Sequence, residues 1–166
     1  MITPQKEDLA ELLAQEEELQ FDMFSNEMAI SLGLMMVETA ARDKLPAAID
    51  ITRSGQQLFF AGLSGTKPDN AFWIKRKMNL VNRFRHSSFY IGSKYRAEGT
   101  DFFTATGLPQ ADYAAHGGCF PLVIRGTGFI GTLTVSGLPQ AEDHAFAVQS
   151  LRAFKASMTQ PRASQA

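Results

Sequence analysis

The sequence predicts a single α/β domain of the α+β kind, with helices set around two antiparallel strand pairs. Three observations predict it. The chain has 166 residues, within the roughly 100–200 of one domain. Several segments repeat apolar residues at spacings of three, four and seven, the mark of an amphipathic helix. Two pairs of β-branched and aromatic runs flank glycine turns, as hairpin strands do.

From the N-terminus, residues 5–20 place Leu9, Leu12, Leu13 and Leu19 along one side of a helix. Eight of the 17 acids fall between Glu7 and Glu27, which makes the rest of that helix a solvated face and residues 1–22 an N-terminal extension. Ser25-Asn26 caps a second helix through Met28, Leu32, Met35 and Met36, stopped near Lys44 by Leu45-Pro46. Ala47–Thr52 and Gln57–Leu63 form a hairpin about Ser54-Gly55. After a loop through Gly62, Gly65 and Pro68, Asp69 or Asn70 caps a third helix over about residues 70–86. Ser87–Ala97 reads as a short helix, and Gly107–Gly118 as loop. Strands Cys119–Ile124 and Phe129–Ser136 come next, and Pro139 opens a last helix over 139–156. Residues 157–166 lack a packing pattern and read as a flexible tail, so the domain spans 1–156. The pentapeptide Gly-Leu-Pro-Gln-Ala occurs at 107–111 and 137–141 with different flanks, which is shared turn chemistry and not a repeat architecture.

Composition narrows the function classes. With 16 Lys+Arg against 17 Asp+Glu the net charge is −1, and no nucleic-acid module is recognisable, so nucleic acid is not the expected partner. The apolar runs fall far short of the ~20 residues that span a bilayer, and no secretory signal is visible, so a cytoplasmic, membrane-free protein is expected. A single cysteine, Cys119, allows no internal disulfide, and no zinc spacing occurs.

Two features carry candidate chemistry. Residues 67–96 hold eight Lys and Arg against Asp69 alone. On the third helix Trp73 offers a stacking surface, and Arg76 and Lys77 offer contacts to an anion such as a phosphate or a carboxylated ring. The same basic stretch could instead pair with the acidic first helix, within or between subunits. The second feature is His116-Gly117-Gly118-Cys119-Phe120-Pro121. Gly117 and Gly118 permit close backbone approach, and His116 is a polar or axial ligand or a structural histidine. Cys119 reads as buried packing. Asp143 and His144 are neighbours on a helix and point apart, so Ser136 with these two is no catalytic triad.

The runs Pro46-x-x-Ile49-Asp50-Ile51, Asp69-Asn70-x-x-Trp73-Ile74-x-Arg76-Lys77, Ser87-Ser88, Tyr113-x-x-His116-Gly117-Gly118, Phe120-Pro121 and Val135-Ser136-Gly137-Leu138 with Glu142-Asp143-His144 occur in one order. Together they resemble the haem-degrading-domain (haem-binding, GlcG-like) family over about residues 20–155. The resemblance implies an antiparallel sheet with helices on its faces, profilin-like in layout, assembled as a homodimer or larger closed oligomer. It implies haem as a possible cofactor and Phe120 as part of the ligand loop. Cys119 departs from the resemblance by replacing a third glycine, where a side chain would narrow a pocket or supply a sulfur ligand. The expected role is binding of a flat or anionic small molecule. Oxidative haem breakdown and a purely structural oligomer are the competing expectations. Small-molecule binding requires the basic helix and the diglycine loop to face one hollow.

Overall fold

The computed structural model describes residues 1–159. Its elements are α1 (Leu9–Glu18), α2 (Asn26–Arg42), β1 (Ala48–Arg53), β2 (Gln56–Gly62), α3 (Asp69–Phe84), α4 (Ser88–Ala97), α5 (Phe102–Thr106), β3 (Cys119–Ile124), β4 (Gly128–Ser136) and α6 (Gln140–Thr159). The four strands make one antiparallel sheet in the order β2-β1-β4-β3. Ser54 and Gly55 both take positive φ, 48° and 82°, which a two-residue turn matched to the strand twist requires.

Alternation along the strands separates two different faces. Ile49, Ile51, Phe120, Leu122, Leu133 and Val135 point one way, into a core closed by Leu32 and Met36 of α2 and by Phe146 and Leu151 of α6. The opposite face carries Asp50, Thr52, Thr132, Thr134 and Ser136, all buried and all polar, together with Cys119. α3 lies on this polar face, flanked by a second cluster of Leu80, Val81, Ile91 and Phe102. α3 covers this row of short polar side chains along β1 and β4. Clefts open along both of its sides.

The extension before α2 is tied down at three places. Phe21 bridges Ile124 and exchanges backbone hydrogen bonds with Val123 and Arg125, which covers the outer edge of β3. The Glu16 carboxylate accepts from Ser87 N and meets His86 Nδ1, each at 2.7 Å, at the start of α4. Gln15 Oε1 accepts from His144 Nε2 at 2.8 Å, and Gln15 in turn donates to Gln5.

Several boundaries differ from expectation. The first helix starts at Leu9 because Asp8 caps it, and Gln5 bonds Ala141 instead. Neither Asp69 nor Asn70 caps α3: the helix starts behind Pro68, and Asn70 Oδ1 accepts from Lys67 N. α5 was not expected; Asp101 caps it through Phe103 N and Thr104 N. The last helix runs to Thr159, so residues 157–159 are helical and not tail. The remainder of the expected tail lies outside the described residues. Of the basic stretch, Arg96 on α4 pairs with the acidic N-terminal segment, at Glu7 just ahead of α1; α1 itself pairs with α6 through Glu18–Arg152, and no ion pair joins it to α3 among the described residues.

Candidate functional site

On α3, residues 70, 73 and 77 share one helical face. That face looks across a cleft of about 270 Å³ toward His116, the end of β4 at Ser136, the Gly137-Leu138 turn and the start of α6 at Gln140 and Asp143. Lys77 reaches the cleft floor at only 2% exposure. Its Nζ donates to Val135 O and to Asp143 Oδ2, both at 3.0 Å. Asp143 Oδ1 also accepts from Leu138 N at 3.0 Å, which clamps the turn to the helix. Burial pushes the Asp143 carboxyl up to about 6 in spite of the lysine beside it.

Trp73 forms one wall. Its Nε1 donates to Asp69 one turn back, and its ring meets the His116 ring edge-on, centroids 5.1 Å apart. The Arg76 guanidinium lies 4.7 Å from the indole centroid and donates to Tyr113 O. His116 sits exposed at the mouth and makes no hydrogen bond among the described residues. Partial desolvation, then the cations Lys77, Arg96 and Arg76, hold its pKa below the ordinary value, so the neutral imidazole is favoured. Asn70 donates to Ser136 Oγ at 3.2 Å, which fixes the remaining rim.

The structure therefore brings Trp73, Lys77 and His116 together around one cleft, and leaves the other expected residues off its lining. Arg76 stands behind Trp73. Phe120 is 1% exposed and belongs to the core on the other sheet face, because strand alternation turns it away from α3. The glycines serve packing and not ligand approach. A Cβ on Gly118, at φ 130°, would stand 2.2 Å from Val135 O and 2.8 Å from Lys77 Nζ. A Cβ on Gly117 would stand 2.2 Å from Gln140 O. Gly118 thus leaves the space that the Lys77 ammonium occupies. Cys119 neither narrows the cleft nor offers sulfur to it: it is fully buried, accepts from Thr134 Oγ1, and burial pushes its thiol up to about 12.

Sequence reasoning missed Asn70, Ser136, Leu138, Gln140 and Asp143 as cleft residues. A signal for Asp143 was present. Ile74, Lys77, Leu80 and Val81 form the buried stripe of α3. A lysine within such a stripe needs a carboxylate partner.

The family described as "Haem degrading protein HbpS-like" matches residues 24–152. The chain belongs to the HbpS-like haem degrading protein family. A UPF0303 protein of Streptomyces coelicolor is 48% identical over 151 residues, covering 91% of this chain and 96% of its own. Among solved structures, the Ybr137w protein is 32% identical and superposes with a TM-score of 0.85, covering 96% of this chain and 100% of that one. The fold is shared by PduOC, solved as a heme complex, at 18% identity and a TM-score of 0.65 over 78% of this chain and 94% of that one. The HbpS-like fold is thus the expected antiparallel sheet with helices on its faces. Among the described residues no helix is long and apolar enough to cross a membrane.

Proposed function

We propose that this HbpS-like chain binds a small, flat, anionic molecule in the Trp73–His116 cleft, with haem the candidate its family supplies. The convergence of Trp73, Lys77 and His116 on one hollow carries this reading. Trp73 gives a stacking face. Lys77 has three donor protons, two of them used by Val135 and Asp143. Arg76 and Arg96 add positive field at the mouth, toward a carboxylate or propionate.

The residues fit a haem in kind. Ligation of iron needs a neutral imidazole; burial and the nearby cations favour that form of His116, whose ring makes no hydrogen bond among the described residues. At about 270 Å³ the cleft lies below the roughly 300–1,000 Å³ of enclosing ligand pockets, so it would enclose a molecule of that size only in part. Haem, when bound, would supply redox-active iron. The chain would hold it through the His116 imidazole, the Trp73 ring and the cations Lys77, Arg76 and Arg96. Binding without turnover is proposed, because Asp143, the carboxylate at the cleft floor, is committed to Lys77 and to Leu138 N. A cytoplasmic setting accords with one shielded thiol and is part of the proposal.

Titration with haemin should give a saturable Soret change in the parent. His116→Ala should weaken it about tenfold and shift the band, since an axial ligand is lost. A parent with no saturable change, or a variant indistinguishable from it, removes the haem reading.

Self-association is a second reading, favoured by a difference between the sheet edges. The β3 edge is covered by Phe21, whereas β2 (Gln-Gln-Leu-Phe-Phe-Ala-Gly) carries no charge and no proline. Ile30 and Leu34 of α2 and Phe60 of β2 are 45%, 59% and 47% exposed. Native chains blunt or cover such an edge, and a second copy adding strand to strand would do so. Light scattering should then report at least twice the 18.2 kDa chain mass, and a monomer removes this reading.

A further inference from the structure

We propose that the groove between the β1–β2 hairpin and α3 is a second binding site, for a small organic cation whose ammonium meets the Asp50 carboxylate. It lies on the side of α3 away from His116 and does not rest on the haem reading.

Asp50 points to the polar face of the sheet at 2% exposure. Its Oδ1 accepts from Thr52 Oγ1 at 2.6 Å and its Oδ2 from Gln57 Nε2 at 2.7 Å. A carboxylate offers about four acceptor sites, so roughly half of this one's capacity is unused. Neither donor is charged. Among the described residues no Lys, Arg or His comes within 4.0 Å of Asp50, in contrast to Asp143 and its Lys77. A buried anion is ordinarily paired, and one without a counter-ion at the floor of a groove is a candidate functional site. Burial accordingly holds its carboxyl above the ordinary range, against the pull of the two hydrogen bonds.

The groove supplies the rest of the chemistry. It measures about 340 Å³, and Phe60, Ala71, Ile74 and Met78 wall it. Phe60, half-exposed on the groove wall, is an aromatic of the kind that attracts a cation. Apolar walls over one carboxylate suit an alkylammonium. A divalent metal would need several more oxygen ligands, and the described residues hold no cluster of three or more metal-binding side chains. Lys75 stands at the rim, which favours a monocation over a polyamine.

The test uses n-hexylammonium as probe and the side-chain amide of Gln57 as NMR reporter. The full chain should show saturable shifts with hexylammonium and none with hexanoate. Asp50→Asn, which keeps the shape and the Thr52 bond and needs only the exposed Gln57 amide to turn over, should weaken binding at least tenfold. Phe60→Ala, at an exposed position, should weaken it severalfold. No saturable shift in the parent overturns the proposal, and so does unchanged affinity in Asp50→Asn. Should that variant fail to fold, the parent still decides: hexanol binding as tightly as hexylammonium would mean an apolar groove without cation recognition.

Discussion

Lys77→Met should cost about 3–5 kcal/mol of stability, because it leaves the Asp143 carboxylate buried without its cation. The two side chains are each 3% exposed, so water cannot take over the lost role. The deficit should shrink as pH falls, since a protonated Asp143 is cheaper to bury and its pKa, already about 6, rises further without the lysine. The double variant Lys77→Met/Asp143→Leu should recover most of the loss, as replacing both partners of a buried pair often does. Urea midpoints of the three proteins at neutral and acidic pH check this. A single variant as stable as the parent would mean that the pair contributes nothing to the fold.

His144 should set the acid limb of the stability curve. It is fully buried between Phe89 and Phe120, and burial alone pushes its pKa down to about 3. The unfolded chain takes up the proton near 6.5 and the folded chain does not, so stability falls as pH drops from 6.5 toward 3. Each pH unit in that window is worth about 1.4 kcal/mol, or about 5 kcal/mol across it. Asp143, Glu16 and Asp50 have raised values and act with the opposite sign, partly masking the loss. His144→Gln isolates it. The variant removes the titrating ring and leaves the carboxyls in place, so its stability should gain on the parent by that slope below pH 6.5. Parallel curves for the two proteins would refute a buried neutral His144.

Much of the fold was legible because local chemistry and tertiary context agreed. Ser25 caps α2 where the sequence places it, and Ser54-Gly55 turns between strands of the expected pairing. Legibility failed where a side chain had a better partner elsewhere. Asn70 looked like a cap, but its carbonyl serves Lys67 and its amide serves Ser136. α5 is a single turn, too short for periodicity, although Asp101 with Thr104 was a readable capping signal. For the candidate site, adjacency in sequence misled. Phe120 comes two residues after the diglycine, but strand alternation sends it to the far face. Arg76 and Lys77 are neighbours in sequence as well. One stacks on Trp73 near the surface, while the other, on the buried stripe, goes to the floor.

The family match begins at residue 24, yet three residues ahead of it complete elements that lie inside it. Phe21 supplies the fifth backbone rail beside β3, Glu16 finishes the α4 terminus, and Gln15 answers the one ring proton that His144 presents to it. A chain trimmed to the shared span would carry a raw strand border on each flank of its sheet instead of one. An open edge is a template for another strand, so in this structure the leading segment closes one of the two places where a foreign strand would add.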